Sequence, residues 1–583
     1  MEISTVGRPR NVGWVRAAAL MYGDWGTSKA YVIGLAVAAV GFAALPHLLA
    51  VSLVTGLVGI NYIWVCKHFP NGGGVYSAAG LHSRRLATIG GLLLLADFIV
   101  TASLSCLDAF HYLGIASPVR AKEWAITTIF VIGAVNFLGP KHTGGLAVWL
   151  AVPTVMVVIG LIGGGAPQVG QLHPEAPSGG LLHNWTKFVD MILALSGVEV
   201  AASSTGVMKL DPRSSLERPS VGITARRAII AVMLDVVIGT ALLSVLAMCL
   251  PEAARNHEND MLRYMGEVFY GPKFGLVVGG LFGLLLISAV NTAITGMVAL
   301  LYVMAHDGEL PEPFLQLNRF GVPWVALIVA TILPVLVLNV SESVKSLSSL
   351  YAIGVVGAIA INLGSCAFAR QIALKPHERL TMKGTFVLLA AIWVTIAWSK
   401  QEALLFVSSV LVVGLTLREL TLRRQAAAPA SVVPVPAANA APAAAAPPLE
   451  FLGLSVLVAA RGWTPALQFA LEESRVRGAH LLVLYIREVA VTIDRGGNWQ
   501  DDLQARALFS RLESESRGLH VDKLYSISDS PADTIIDIAA TFGVDSVVLG
   551  GSRRAALVNL LKGNVVTRVA ANLPESMHLI VIG

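Results

Sequence analysis

Apolar runs long enough to cross a bilayer recur along most of this chain, and they constrain its fold more than any other feature. They begin near Val15, Pro46, Leu86, Trp124, Leu146, Trp185, Thr224, Phe274, Val322, Leu347, Thr385 and Leu404, about twelve runs judged against the roughly twenty apolar residues that a spanning helix needs. Backbone in hydrocarbon must satisfy its own hydrogen bonds, so each run is expected to be a helix. Composition agrees: 55% of residues are hydrophobic and 14% charged, where a soluble domain is roughly a quarter charged. The expected fold of residues 1–424 is an all-α polytopic membrane protein.

Lys and Arg in the short connections set the expected orientation. Arg8, Arg10 and Arg16, then Lys67, Arg84 and Arg85, then Lys209, Arg213, Arg218, Arg226 and Arg227, then Arg370, Lys375, Arg379 and Lys383, and finally Arg418, Arg423 and Arg424 fall on one side. The opposite connections are poorer in these residues, which places both termini in the cytoplasm of a multi-pass protein of the cell (inner) membrane. This bias accounts for the net charge of +5 without a nucleic-acid partner; the lipid bilayer is the expected one. Cys66, Cys106, Cys249 and Cys366 lie in or beside apolar runs and read as packing residues rather than a disulfide or metal framework.

Chemistry concentrates where the apolar runs are interrupted. The first carries Gly23-Asp24-Trp25-Gly26-Thr27-Ser28-Lys29-Ala30-Tyr31. A carboxylate at bilayer depth costs about 2.5–3.5 kcal/mol, and broken helices of this kind build midplane sites in secondary transporters. In the third run Asp97, Thr101 and Ser105 recur every fourth residue and so form one polar stripe; the competing reading has Thr101 and Ser105 bonding back to their own helix. The sixth run reads Ser196-Gly197-Val198-Glu199 and then Ser203-Ser204-Thr205-Gly206. It is the counterpart of the first break in a second half, the pattern of an inverted five-plus-five repeat with a site between the halves, although Glu199 alone would also serve to tether two helices. Tyr351, in Tyr351-Ala352-Ile353-Gly354, offers a phenol at the same level, or an ordinary core tyrosine.

After Arg424 the composition changes. Residues 425–450 are mostly Ala, Pro and Val, as in a linker. Residues 451–583 alternate β-rich runs (454–459, 480–485, 521–526, 546–549, 579–582) with amphipathic helical stretches (465–475, 501–517, 531–542). That rhythm predicts an α/β doubly wound domain, a parallel sheet with helices on both faces.

With the Gly-Asp-x-Gly-Thr-Ser-x-x-Tyr stretch, the Asp97/Thr101/Ser105 stripe, and Ser196-Gly197-Val198-Glu199 leading to Thr205-Gly206-Val207-Met208-Lys209-Leu210-Asp211-Pro212, the membrane part resembles the KUP family of potassium uptake permeases, in particular its KimA-type branch within the APC superfamily. The resemblance implies a LeuT-like inverted repeat that moves K+ together with H+, not an enzyme, with ion or proton roles for Asp24, Tyr31, Asp97, Thr101, Ser105, Ser196, Glu199 and Tyr351. Lys29, Ala30 and Trp25 depart from the family pattern. Lys29 stands in the cavity in place of a cation, snorkels towards the cytoplasm, or pairs with a carboxylate. Hydroxyls and freed carbonyls suit a weakly polarising ion such as K+, and a second carboxylate suits a proton. The alternative is an APC-type amino-acid permease, against which Asp24, Asp97 and Glu199 would repel a substrate carboxylate.

The C-terminal part resembles the universal stress protein family at Gly550-Gly551-Ser552-Arg553-Arg554 and Gly563-Asn564-Val565-Val566. The resemblance implies a regulatory and homodimerising domain in which Gly550, Gly551, Ser552, Arg553, Gly563, Asn564 and Val565 cradle the phosphates of a nucleotide effector (cyclic di-AMP, AMP or ATP). Arg554 and Asn564 depart from the usual glycine and hydroxyl residue, and Ala460-Arg461 stands where an aspartate is common. No resident cofactor is expected beyond the transported K+ and H+.

Overall fold

The computed structural model describes residues 3–5, 10, 12–72, 74–139, 144–171, 175–195, 197–212, 214, 219–341, 344–427, 454–490, 499–551, 563–574 and 576–583. The first span is two helices, α1 (Trp14–Trp25) and α2 (Ser28–Val40), separated by Gly26 and Thr27; α3 (Leu45–His68) returns, and a short α4 (Val75–Gly80) leads into α5 (Arg84–Tyr112). Ser83 starts α5 by accepting a hydrogen bond from the Leu86 N–H at 3.1 Å, a standard way of satisfying a free helix-end donor. Then follow α6 (Pro118–Phe137), α7 (Gly144–Gly165), the broken α8 (Leu181–Asp190) and α9 (Glu199–Ser203), and α10 (Gly222–Leu234), which runs through a π-helical turn at Asp235–Gly239 into α11 (Thr240–Ala247). The remaining helices are α12 (Met261–Tyr270), α13 (Pro272–His306), α14 (Trp324–Val340), α15 (Val344–Phe368), α16 (Pro376–Ser399) and α17 (Gln401–Ala427).

Among the described residues, 8 helical stretches are long and apolar enough to cross a membrane by length and composition, the first of them, Trp14–His68, holding α1 to α3. The sequence leads to about twelve passes. The difference has two sources: the first stretch, α1 to α3, holds two passes, and three runs are irregular, with α8 and α9 broken, α14 only 17 residues long and α6 opening on Arg120, Lys122 and Glu123. The most apolar windows of α5 and α15 are 94% buried and that of α17 only 17%, so α5 and α15 are inner helices and α17 turns its apolar surface outward. Helix α5 packs against both α13 and α15, and α1 against α7 and α10. The protein is thus a multi-pass membrane protein whose polar stripe rides on one of its two most enclosed spanning helices.

The C-terminal part folds around one parallel sheet. Strands β1 (Ile3–Thr5), β2 (Ser455–Ala459), β3 (His480–Glu488), β4 (Val521–Ser528), β5 (Ser546–Gly550) and β6 (His578–Ile582) lie in the order β1-β4-β3-β2-β5-β6. In β3, Leu481, Val483 and Tyr485 join one apolar cluster while Leu482, Leu484 and Ile486 join the other. Both faces are therefore covered, which is why the strand is apolar throughout instead of alternating with polar residues. Helix Pro465–Arg477 opens on a Thr464 cap and closes on Gly478 in the left-handed region, φ 63°.

Two features depart from the expected organisation. Strand β1, from the extreme N-terminal segment, pairs in parallel with β4 (Ile3 opposite Lys523, Thr5 opposite Tyr525) and so covers an edge that would otherwise be open. Three expected linker residues, 425–427, continue α17 instead, as alanines readily do; the remainder of the linker lies outside the described residues. The two parts also touch directly: the Ala490 N–H donates to the Gly321 carbonyl at 2.9 Å, and Gly321, at φ 77°, has no room for a side chain because a Cβ there would stand 2.3 Å from the Glu488 carbonyl oxygen.

Candidate ion-binding site

The first break is held open by its own hydroxyls. The Thr27 Oγ1 donates to the Asp24 carbonyl at 2.5 Å and the Ser28 Oγ to the Trp25 carbonyl at 2.8 Å, replacing helical bonds that the interruption removes. Gly26 has to be glycine, since a Cβ would stand 2.6 Å from the Tyr22 carbonyl oxygen. In the second break Gly197 takes φ 89°, and a Cβ on it would lie 2.3 Å from the Trp25 nitrogen and 2.5 Å from its Cα. The two interruptions therefore meet backbone to backbone, and residue 197 is the point of contact. From it the Gly197 N–H donates to Glu199 Oε1 at 3.2 Å.

Asp97, Thr101 and Ser105 are buried on one side of α5. The Thr101 hydroxyl donates to the Asp97 carbonyl at 2.9 Å and reaches its Oδ1 at 3.3 Å, so it does bond back to its helix while keeping its oxygen free to accept. The Asp97 and Glu199 carboxyls face each other within hydrogen-bonding reach, with Asp24 close by. Asp97 Oδ2 and Glu199 Oε2 are buried and, among the described residues, without a donor. A carboxylate only accepts, so two of them in contact require a cation or a proton between them. The phenols of Tyr31 and Tyr351 are neighbours at the same level. Helix α15 presses onto the site at Gly354, where a Cβ would lie 2.9 Å from the Asp97 nitrogen.

Of the residues singled out in the sequence, Asp24, Tyr31, Asp97, Glu199 and Tyr351 come together, with Thr101 bonded to Asp97 and Ser105 one turn further along α5. Ser196 lies outside the described residues. Lys29 is fully buried, its ammonium paired with Asp235 in the π-helical turn, 3.4 Å from the Tyr22 hydroxyl and over that ring at 5.1 Å. The carboxylate-paired alternative is the one adopted. Two further carboxylates, Asp235 and Asp108, lie outside the motifs of the sequence; both are charges inside apolar runs, and that is the signal that marks them.

In the C-terminal part a cavity of about 600 Å³ opens at the carboxyl ends of the strands, lined in part by Ala460, Arg461, Thr464, Gly550, Gly551 and Val565. That is where an open α/β sheet places a ligand. Gly563 adopts φ 75°. Asn564 caps the helix Val565–Asn572, its Oδ1 accepting from the Val566 N–H at 3.0 Å, so the helix start is already engaged by a side chain. Ser552, Arg553 and Arg554 lie outside the described residues. On the side facing the helical part, Arg487 lies beside Asp502 and Tyr525 and close to Tyr302 of α13; burial pushes the Tyr525 phenol up to about 12, against the pull of Arg487.

Comparison with known proteins agrees with both halves of this description. The family model described as amino acid permease matches residues 12–417, and that of the universal stress protein family residues 461–580. Potassium transporter KimA of Bacillus subtilis is 22% identical over 348 residues, 57% of this chain and 56% of that protein. The aromatic amino acid transport protein AroP of Salmonella typhimurium is 24% identical over 313 residues, 50% of this chain and 64% of that protein. The probable potassium transport system protein Kup of Nitrosospira multiformis is 25% identical over 233 residues, 34% of this chain and 37% of that protein. The chain spans about half the length of the curated relatives it matches. A solved universal stress protein from Archaeoglobus fulgidus is 24% identical over 22% of this chain and 98% of that chain, with a TM-score of 0.18. The amino acid permease model extends over well more than half of the chain, and the protein belongs to that family of membrane transporters, with a universal-stress-protein-like domain at its C-terminal end.

Proposed function

We propose that this protein imports K+ across the cell membrane, both termini cytoplasmic, and couples each K+ to H+. One observation carries the reading: the adjacent Asp97 and Glu199 carboxyls are buried, and among the described residues their Oδ2 and Oε2 have no donor. Asp97, with Asp24, Thr101 and Tyr31 around it, supplies oxygens to the ion, and Glu199 holds the proton, so that binding one partner offsets the charge the other leaves behind. The likeness to KimA and Kup supports K+ as the substrate. The likeness to AroP and the family's own description favour an amino-acid substrate instead. That reading has to seat a substrate carboxylate beside three acidic side chains, whose field repels it. The C-terminal domain, a homodimer in this proposal, restrains transport and takes a nucleotide (cyclic di-AMP, AMP or ATP) in the cavity at Gly550 and Gly551. The test is uptake into proteoliposomes holding the full chain. Radioactive rubidium should accumulate and be displaced by K+, whereas accumulation of an aromatic amino acid without rubidium would assign the other substrate.

A further inference from the structure

Asp108 stands on α5 beyond the transport stripe. At 3.6 residues per turn, the step from Asp97 to Asp108 returns to within about 20° of the same face and lies about 16 Å further along the helix. Asp108 is fully buried, and among the described residues neither carboxylate oxygen has a hydrogen-bond partner. The charges closest to it are acidic: Glu258 and Asp260, from the segment between α11 and α12. The nearby bases are already engaged. His257 contacts Asp260 at 2.9 Å, and Arg263 contacts Glu267 at 3.1 Å and the Tyr112 carbonyl at 3.4 Å; His111, on the same helix, lies near Asp260. The Tyr112 hydroxyl is spent on the Ala30 carbonyl at 2.6 Å. Tyr31, at the transport site, has both Asp24 and Asp108 among its charged neighbours. Segment 258–260 closes over α2, where a Cβ on Gly34 would stand 2.2 Å from the Glu258 carbonyl oxygen.

We propose that Asp108, with Glu258 and Asp260 above it, is a second binding site for a monovalent cation, in line with the Asp97–Glu199 pair and on its extracellular side. The placement rests on the reading of the chain as a K+ importer with cytoplasmic termini. A buried carboxylate with no protein donor is neutralised by a proton or by a cation, and the neighbouring Glu258 and Asp260 add negative potential that draws a cation in. A cation arriving from outside is dehydrated at Asp108, passes Tyr31 and reaches Asp97.

Equilibrium binding of radioactive rubidium to the purified full chain tests this, with Asp97→Asn, Asp108→Asn and the double variant compared. Asp97→Asn should keep a bound rubidium that the double variant loses. In proteoliposomes Asp108→Asn should raise the external K+ needed for half-maximal uptake about ten-fold. Equal rubidium binding by Asp97→Asn and the double variant overturns the proposal. Should Asp108→Asn fail to fold, Glu258→Gln with Asp260→Asn is the second probe: it should raise the half-saturating K+ in the same direction, and an unchanged value overturns the site. Wild-type vesicles that accumulate no K+, while Asp97→Asn still holds rubidium that the double variant loses, contradict the importer and leave the cation site standing.

Discussion

At the scale of single residues, the account turns on which buried charges have partners. Asp97→Asn and Glu199→Gln keep shape and remove one acceptor charge each; both should abolish K+ uptake while the protein still inserts and elutes as a folded species in detergent. Thr101→Ala should only weaken apparent K+ affinity, several-fold, because one neutral oxygen among several is lost. Lys29 and Asp235 behave differently. Asp235→Asn leaves a fully buried ammonium unpaired and should destabilise by about 3–5 kcal/mol, whereas pairing it with Lys29→Met should recover most of that loss; melting temperatures of the two variants in detergent measure it. The polar positions were legible because a charge inside an apolar run has few innocent explanations: Asp24, Asp97 and Glu199 stand out by position alone. The partner of Lys29 was not legible, since Asp235 is 206 residues away and is aimed by a π-helical turn that no periodicity announces.

At the scale of elements, two interrupted helices do the positioning. Their hinge is Gly197, where a left-handed backbone and a Cβ distance of 2.3 Å to the Trp25 nitrogen exclude any side chain. Gly197→Ala should therefore spread α1 from α9, widen the gap between Asp97 and Glu199, and remove uptake without removing membrane insertion. The interruptions themselves were readable from glycines and hydroxyls set in apolar sequence, and the strands of the C-terminal sheet from β-branched runs alternating with helical stretches. Strand β1 was not, because Ile3–Thr5 is 3 residues long and gains its conformation only from the edge of β4. The sixth pass was readable as one apolar run from Trp185, although in the structure it divides into α8 and α9, each too short to count as a spanning helix by length.

At the scale of the whole molecule, the C-terminal domain is coupled to the transporter by contacts rather than by the Ala/Pro-rich stretch alone. Ala490 bonds Gly321 beside α14, Arg487 approaches Tyr302 of α13, and β1 ties the N-terminal segment into the sheet. Arg487→Ala should release the restraint and raise the K+ uptake rate without altering half-saturating K+. Calorimetry on the full chain should find ATP binding weak, since Asn564 already occupies the helix start that a phosphate would use. These effects all lie downstream of the central claim, that the Asp97–Glu199 pair moves K+ and H+ together. The most direct measurement is proton entry into proteoliposomes, with the membrane potential clamped, when K+ is added outside. The account predicts K+-dependent acidification of the lumen by the wild type and none by Glu199→Gln; K+ uptake at the clamped potential with no accompanying acidification would contradict it.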